Sequence, residues 1–595
     1  MSGFWSASNK IPVKQTSTAI SSVNGLSFSA GQVVHIDIPP SVKFIQPKES
    51  WLQFDFKISN PLVNASDGVC RLQLDGQIGG QSLIRDIRIY SSTENGGVLL
   101  EEIQAYNSMV AVKYDYDTDD SIKNKRAIGG EGTTTHDPRT RGTLGTPKSM
   151  VADVLTNPYF ESVANVNQTA PFTNASFTTA KMMLPLHTGI WSSDKVFPNL
   201  LTGCRIEIVL ESADRCLRLL ESAIPTNRAG LNPLFDSVNG SGNAGGNTKT
   251  GLGVGDKFTE FYVTKANSQI VPQFSPFVVG ECVSFTNVNG CLTTGSTFTA
   301  TSGNAVPAPR ISQINTSGNA SGGDGLIQIV LDQEYELTAN AINAEDAFVY
   351  SASIDDALTT QNPSYEISNV EMVVQELDMG SSYENSMRKA MSEGGTIGYD
   401  VLTATNYKYS QLASDIVANI RLPLNESRAR SIVCVPTDST NYNTRQRLLC
   451  ATTYDIAGAN DGYFTSNSTR SGLVGISDFL TNYQFLYDGK LQPSRQVSTA
   501  KISNKISIDA QPLIETEKAL VQAGIPCRSF ENYNNNFIVC RSFGLNNSVY
   551  DTRNKDFNLQ LNYQGTAPTK NKLWNNFVFA LRRINIKGDS ISIVA

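Results

Sequence analysis

A chain of 595 residues is long enough for several folded domains. Apolar residues make up 40% of it and aromatic residues 9%, which supplies packed cores and excludes a disordered chain. The formal charge of −7, with only 17% charged residues, argues against a surface that binds nucleic acid throughout, because such surfaces need a surplus of lysine and arginine. Any contact with a genome has to be weak and local.

The start of the chain is polar. In residues 6–24 the only charges are Lys10 and Lys14, and Pro12 disrupts regular structure. We predict that residues 1–24 form a flexible arm that becomes ordered on assembly. No basic region is followed by an apolar run and no stretch approaches the length of a membrane span, so we expect a soluble protein without a signal peptide or transmembrane segment.

Apolar and polar residues alternate in several segments, as they do in strands with one buried face. Clear examples are residues 52–58, 70–74 and 557–563. Turn-forming pairs such as Asp75-Gly76 separate these segments. The pattern predicts an all-β protein of antiparallel sandwiches or barrels.

Helical patterns are few and short, and we interpret them as connectors packed on sheets. They are residues 211–220, 383–392 and 516–522.

Near the C terminus, Phe577, Phe579 and Leu581 are spaced to share one buried face of a strand. Arg582 and Arg583 interrupt that apolar pattern. We expect them to begin an outward-facing or interface end.

A long segment, at about residues 220–364, alternates short strand patterns with loops rich in Gly, Ser and Asn. Loops of this length without internal strands would be poor candidates for order. We therefore predict a folded insertion that projects from the outer surface as a tower built on the first domain, and not an interdomain linker.

Few residues suggest chemistry. The nine cysteines have no C-x-x-C pair, so we predict buried free thiols. The Asn-x-Ser/Thr triplets are attributed to composition. The histidines at 35, 136 and 187 lack metal-ligand spacing, and we interpret them as structural. The glycine-rich segment 251–255 has no preceding strand or following helix pattern, so it is a loop and not a phosphate cradle.

Four acidic residues, Asp115, Asp117, Asp119 and Asp120, have alternate spacing that could suit Ca²⁺. The central Gly and bidentate Glu of an EF-hand loop are missing, so a solvated acidic loop is the favoured interpretation. No catalytic, cofactor-binding or metal-binding residue is assigned.

The order of several segments resembles the double jelly-roll major capsid proteins of virophages and Polinton-like viruses, a lineage related to the adenovirus hexon. Each segment is a strand pattern with a few fixed letters, and their order carries the resemblance. The departure from the family pattern is the long stretch at about 220–364. The segments are residues 38–45, 51–58, 79–90, 99–107, 182–191, 195–201, 205–210, 367–378 and, less distinctly, 483–489.

The resemblance implies two consecutive eight-stranded jelly rolls, the first over residues 25–385 and the second over 386–595. It implies a non-enzymatic major capsid protein whose homotrimers are pseudo-hexameric capsomers of an icosahedral shell around double-stranded DNA. Its partners would then be neighbouring trimers, penton and minor capsid proteins, with at most weak local contact with genomic DNA. Its location would be the virion, assembled in the infected host cell.

Two other classes of function stay open, because a fold alone does not fix function. A lectin-like or receptor-binding protein would use a jelly roll to bind carbohydrate. A β-sandwich glycosidase would need two carboxylates about 5–10 Å apart in a cleft, and no such pair is marked in the sequence.

Overall fold

The structure is a computed structural model. It describes residues 14–60, 72–75, 77–92, 97–117, 122, 126, 130, 180–219, 234–236, 248–249, 251–264, 283–286, 297–300, 309, 311–315, 326–339, 342–343, 348–351, 364–439, 472–477, 480–499, 510–530, 533, 536–544, 548–563, 571–587 and 590–594.

The strands of the first half form two facing sheets and a few short accessory pairs. In chain order they are β1 (Lys14–Ser21), β2 (Ser27–Ser29), β3 (Val33–Ile38), β4 (Trp51–Asn60), β5 (Leu72–Leu74), β6 (Ile84–Tyr90), β7 (Leu99–Ile103), β8 (Ala180–Leu184), β9 (Cys204–Leu210) and β10 (Leu217–Leu219).

The strands of the insertion lie between β9 and the strand that closes the first unit. They are β11 (Leu234–Asp236), β12 (Thr248–Lys249), β13 (Gly251–Leu252), β14 (Lys257–Thr264), β15 (Val283–Thr286), β16 (Thr297–Ala300), β17 (Ile311–Asn315), β18 (Leu326–Ala339), β19 (Ile342–Asn343) and β20 (Phe348–Ser351). The closing strand is β21 (Ser364–Asp378).

The strands of the second half again form two sheets. They are β22 (Ile397–Gln411), β23 (Val417–Arg421), β24 (Ala429–Asp438), β25 (Asn482–Tyr487), β26 (Lys490–Ser498), β27 (Val539–Ser542), β28 (Phe557–Asn562), β29 (Lys572–Lys587) and β30 (Ser590–Val594).

The helices are short connectors. They are α1 (Tyr106–Asp117), α2 (Asn199–Thr202), α3 (Ala213–Cys216), α4 (Ser381–Ser392) and α5 (Ala510–Gln522), with 3₁₀ turns at Pro47–Glu49 and Gly79–Leu83.

The two halves have the same strand order. In the first, one sheet runs β1-β21-β4-β8, with β2 also paired to β21, and the other runs β3-β9-β6-β7. In the second, one sheet runs β22-β29-β24-β27 and the other β23-β28-β25-β26. If the eight strands of each half are numbered by sequence, both halves show the orders 1-8-3-6 and 2-7-4-5. This is the antiparallel arrangement of a jelly roll, so the predicted double jelly roll is confirmed.

Alternation of apolar residues fills the space between the sheets. In β4, Leu52, Phe54 and Phe56 are buried while the residues between them are partly exposed. In β3, Val34 and Ile36 are buried in the same way. Because side chains alternate across a strand, each of these strands presents one apolar face to the core.

Strand β29 is buried on both faces from Trp574 to Ala580. Phe577 and Phe579 are buried as predicted, and Leu581 is partly buried. Arg582 and Arg583 do begin a more polar end, where they bond Glu426 and Asp400. A strand with apolar residues on both faces needs neighbouring residues on both sides of its sheet.

The prediction of a flexible N-terminal arm over residues 1–24 is wrong for residues 14–21. Residues Lys14–Ser21 form β1, which pairs along its whole length with β21, from Lys14 opposite Asp378 to Ser21 opposite Glu371. The segment was not predicted as a strand because its residues are mostly polar. Its backbone hydrogen bonds to β21 stabilise it, and its side chains lie near the surface. Residues 1–13 lie outside the described residues.

Two of the three helix predictions are confirmed, and the third is confirmed only in part. The patterns at 383–392 and 516–522 are confirmed within α4 and α5. The pattern at 211–220 is helical only over α3, because Leu217–Leu219 pairs with β5 instead. Helix α1 has no counterpart among the predicted helices.

The insertion contains its own sheet, in the order β12-β11-β14-β18-β16, with β17 also paired to β18. Phe258, Phe261 and Tyr335 are buried there, while Val254 stands exposed at a turn. The domain limits stay a prediction; the limit proposed between residues 385 and 386 falls inside α4.

Candidate functional site

The two jelly rolls meet along a surface that we call the junction. From the first unit it receives β7, α1 and residues 187–197. From the second it receives β22 and residues 523–538. It contains polar groups that are buried and bonded, so it fixes how the two units are joined.

Glu101, in β7, is the polar centre of the junction. It is 1% exposed and accepts hydrogen bonds from the backbone N–H groups of Gly189 (2.6 Å) and Ile190 (3.0 Å). Its Oε1 also accepts a bond from Oγ1 of Thr403, in β22 of the second unit, at 2.5 Å. A buried carboxylate needs such donors, and here the second jelly roll provides one of them.

Gly189 permits this close approach. A Cβ at that position would lie 2.8 Å from the carbonyl oxygen of Leu402 and 2.9 Å from Oε1 of Glu101. Only a residue without a side chain lets the two backbones come together here.

Tyr399 anchors the first half of β22. Its hydroxyl donates a hydrogen bond to the carbonyl of Lys195 (3.0 Å), and its ring packs edge-on against Phe197, with ring centres 5.5 Å apart. Burial raises the pKa of Tyr399 to about 12, so the phenol remains a donor at neutral pH.

Helix α1 forms the other half of the junction. The Tyr116 hydroxyl donates to the carbonyl of Asn536 (2.9 Å), while Nδ2 of Asn536 donates to Oδ2 of Asp115 (2.6 Å). The backbone N–H of Arg528 donates to the carbonyl of Tyr116 at 2.7 Å. Burial raises the pKa of Tyr116 well above its ordinary value.

The solvated acidic loop is therefore wrong for the two residues that the structure describes. Asp115 is 1% exposed and Asp117 6%, both within α1. Asp117 pairs with Arg126 at 3.0 Å. Asp119 and Asp120 lie outside the described residues. Because α1 is covered on nearly every side, its acidic residues serve as hydrogen-bond acceptors inside the protein.

An open cleft of about 310 Å³ lies along the junction. Its polar lining includes Lys113, His187, Asp194 and Asp400, and its apolar lining includes Phe579. The ring nitrogens of His187 contact Nζ of Lys113 (3.2 Å) and the hydroxyl of Tyr114 (2.6 Å). Both contacts of the His187 ring are thus with side chains of α1.

The other sequence candidates are dispersed. His35, in β3, contacts Arg205 at 2.6 Å on the adjacent strand β9. Cys204, Cys216, Cys434 and Cys540 are buried free thiols, whereas Cys527 is only partly buried. Residues 251–255 form β13 and a turn. His136 and the remaining cysteines lie outside the described residues.

Sequence reasoning missed the residues that matter most at the junction, namely Glu101, Gly189, Thr403 and Asn536. Glu101 lies in the segment 99–107, which is part of the family resemblance, but a glutamate in an alternating pattern does not by itself indicate a buried side chain. A signal existed in β29, whose apolar run from Phe577 to Leu581 is too continuous for a strand with one solvated face.

Within the part of the chain that the structure describes, no three His, Cys, Asp or Glu side chains lie close enough to hold a metal ion. Nor does any helix in that part have the length and apolar character that crossing a membrane requires.

No protein-family model and no curated protein matches this sequence. Several solved structures match over nearly the whole chain at low identity. The Faustovirus major capsid protein is 9% identical, with 99% of this chain and 92% of that chain covered and a TM-score of 0.44. A chain of the Sputnik virophage is 12% identical, with 98% and 88% covered and a TM-score of 0.40.

The mavirus major capsid protein is 8% identical, with 97% and 90% covered and a TM-score of 0.38. The structures to which the chain is similar are thus major capsid proteins of virophages and large DNA viruses, the kind that the sequence resembles. The strand order described above is what establishes the fold of this chain.

Proposed function

We propose that this chain is a major capsid protein whose homotrimers are the pseudo-hexameric capsomers of an icosahedral shell around double-stranded DNA. The observation that carries the proposal is the pair of jelly rolls with one strand order, joined through a buried polar junction. Three such chains provide six similar units around a threefold axis. A closed ring of six can occupy a sixfold position of a shell lattice.

The buried polar contacts support a structural role. Two hydrogen bonds between buried side chains join the two units, one from Thr403 to Glu101 and one from Asn536 to Asp115. They fix the orientation of one jelly roll relative to the other. A building block of a lattice needs such a fixed orientation, because small errors in each unit accumulate around a closed shell.

The remaining parts of the proposal follow from the capsid role. Neighbouring trimers are the main partners, together with penton and minor capsid proteins, and the location is the virion. The net charge of −7 favours at most weak local contact with genomic DNA. The insertion, with its exposed turn at Val254, would stand on the outer surface.

A lectin-like or receptor-binding protein is the second candidate, favoured by the cleft at the junction. Its volume of about 310 Å³ and its mix of Lys113, Asp194 and Asp400 with apolar residues suit a small polar ligand. Because this cleft lies within one chain, ligand binding there would not require a trimer.

The mass of the purified full-length protein in solution separates the two candidates. We expect light scattering to give three times the chain mass of 64.6 kDa, and electron microscopy to show particles of hexagonal outline. A monomer that binds a panel of glycans would support the lectin and overturn the capsid proposal.

A further inference from the structure

We propose that the basal end of the second jelly roll, the end at which β22 begins, binds the phosphates of double-stranded DNA through Arg428, Arg430 and Arg583. The inference rests on the proposed capsid function, which puts DNA inside the shell. It identifies the surface of this chain that would meet that DNA and the chemistry of the contact.

This basal end has an excess of positive charge. Strands β22, β24, β26 and β28 begin there, and β23, β25, β27 and β29 end there. Nine basic and five acidic side chains are found among the described residues of 397–400, 421–430, 487–491, 543–557 and 582–594. The whole chain has a formal charge of −7, so the local charge has the opposite sign.

The corresponding end of the first jelly roll, where β1 begins, has no such excess. Six basic and six acidic side chains are found among Lys14 and the described residues of 38–50, 90–98, 184–204 and 376–396. The positive charge therefore belongs to the second unit, and is not a general property of the fold.

The eighth strands show the difference directly. Strand β21 of the first unit ends with Glu376 and Asp378, whereas β29 of the second unit has Arg583 and Lys587 near its end. Arg583 and Lys587 are four residues apart, so they lie on one face of β29 and about 13 Å apart along the strand. Two cations at this spacing extend a positive site along the end of the sheet.

The acidic residues do not neutralise this site. Asp400 accepts hydrogen bonds from both Arg428 (3.2 Å) and Arg583 (3.1 Å), so one carboxylate serves two guanidinium groups. Gly398 leaves room for Arg583, because a Cβ at that position would lie 2.9 Å from its Nε. Both guanidinium groups are thereby held at one place with a net positive charge.

Arg430 lacks an acidic partner. It is the extra residue of a bulge at the start of β24, between Ala429 and Ser431. It makes no ion pair with the described residues, and its Nε is buried without a hydrogen-bond partner. Burial, and then the charge of Arg428, lower the pKa of Arg430. A partly desolvated guanidinium beside a second one is stabilised by a bound anion.

Phosphate is the anion that suits these groups. The planar guanidinium donates two parallel hydrogen bonds to phosphate oxygens, and its charge is retained at every physiological pH. Contacts of this kind hold a duplex without reading its sequence, as a shell protein that encloses a whole genome requires.

The basal end also lies opposite the insertion. The insertion joins the end of β9 to the start of β21, and β21 then runs to Asp378 at the base of the first unit. The two bases lie side by side, because Tyr399 donates to the carbonyl of Lys195 and Nζ of Lys195 donates to the carbonyl of Asp400 (3.2 Å). With the insertion on the outer surface, the bases face the interior of the shell.

Fluorescence anisotropy with a labelled duplex of mixed sequence tests the residues in the full-length trimer. Each phosphate contact contributes about −0.9 to the slope of log affinity against log salt. Arg430→Gln and Arg583→Gln, made singly, should weaken binding at least about fivefold and reduce that slope by about one for each copy in contact with the duplex.

Lys408→Gln is the matched control. It makes the same change of charge at an exposed position at the opposite end of β22, and we expect the affinity to stay within about twofold. If Lys408→Gln weakens binding as much as Arg430→Gln, the contact is not at the basal end and the inference is wrong.

Acetylation of lysines in the unaltered trimer tests the surface without a substitution. Lys490 and Lys587 are exposed at the basal end, and Lys408 is exposed at the opposite end. Excess duplex should slow acetylation of Lys490 and Lys587 at least about threefold and leave Lys408 unchanged, as measured by mass spectrometry. Equal rates with and without DNA at Lys587 would overturn the inference.

The outcomes separate this inference from the proposed function. A monomeric natural protein overturns the capsid proposal itself, whereas a trimer that binds no DNA overturns only the assignment of this surface. Stronger protection of Lys587 by phosphatidylglycerol vesicles than by duplex would overturn DNA as the partner. If a variant does not form trimers, the acetylation of the unaltered protein decides.

Discussion

The two jelly rolls share a strand order but differ in what covers their first strand. In the second unit, Tyr399, Val401 and Thr403 of β22 are buried, whereas β1 of the first unit consists mostly of small or polar residues near the surface. The sequence of a strand thus reflects its neighbour as well as its place in the sheet. Strand β22 carries an aromatic anchor and a hydroxyl with a fixed acceptor, and β1 carries mostly Ser, Thr and Gln.

The same difference separates the helices between the fifth and sixth strands. Helix α1 contains Tyr114 and Tyr116, both at most 1% exposed, and is held by hydrogen bonds from the other unit. Helix α5 packs on β27 and β24, where Glu515 bonds Arg541, and leaves its opposite face open. The two halves therefore differ in which of their elements are buried by the neighbouring unit, although their strand order is the same.

The largest expected effect is at Tyr116. Tyr116→Ala should lower the free energy of unfolding by about 3–5 kcal/mol, because it removes a fully buried ring from the junction. Tyr116→Phe keeps the ring and loses only the bond to Asn536, at about 1–3 kcal/mol. Urea unfolding measures both. Equal losses for the two variants would show that packing at the junction contributes little.

Gly189→Ala tests the close approach of the two units. The new Cβ would press on the carbonyl of Leu402, and overpacking of this kind costs about 1–3 kcal/mol. Gly253→Ala is the control, because the nearest atom to its Cβ would be 3.6 Å away, and we expect a change within about 0.5 kcal/mol. Thermal unfolding of both variants checks this, and a neutral Gly189→Ala would mean that the units can move apart freely.

A smaller effect is expected from substitutions that compare β22 with β1, the first strand of each jelly roll. Thr403→Val preserves shape and removes the bond to Glu101, which should cost about 1 kcal/mol. Ser17→Ala removes a bond to Gln375 on the exposed strand β1, and should change stability by less than about 0.5 kcal/mol. Denaturant midpoints measured at one fixed protein concentration check both. If Ser17→Ala has the larger effect, the distinction between covered and uncovered strands is wrong.

A further comparison, of reactivity and not of stability, concerns a thiol beside the junction. Burial raises the pKa of Cys527 to about 11, and the thiolate is the reactive form. At pH 8 alkylation should be roughly a hundredfold slower than in unfolded protein, and each unit of pH increase below 11 should accelerate it about tenfold. Mass spectrometry of labelled peptides follows the rate.

Cys204 is the control for this labelling. It is fully buried in the first unit, and burial raises its pKa to about 12. Because residues 528–530, next to Cys527, contact Tyr116 of α1, Tyr116→Ala should accelerate labelling of Cys527 and leave Cys204 unchanged. Equal acceleration at both thiols would indicate global unfolding and not opening of the junction.

The fold could be predicted from sequence because alternation in segments such as 52–58 and 557–563 reports a buried face, and their order resembles one family. Strand β1 could not, since its stability comes from pairing with residues at least 350 positions away. Helix α1 could not be predicted either, because nearly all its residues are buried and its sequence has no amphipathic periodicity. The junction was hidden because burial of Glu101 and Asp115 depends on the second unit.

The closing strands have a consequence for synthesis on the ribosome. Strand β21 lies between β1 and β4, so the first sheet lacks its central member until residue 378 has been made. At translation rates of about 5–20 residues per second, β1 waits roughly 20 to 70 seconds for its partner. During that interval the edges of β1 and β4 are open to pairing with other nascent chains. A long insertion before β21 lengthens the wait, so high expression on crowded polysomes would expose this chain to misassembly before it is complete.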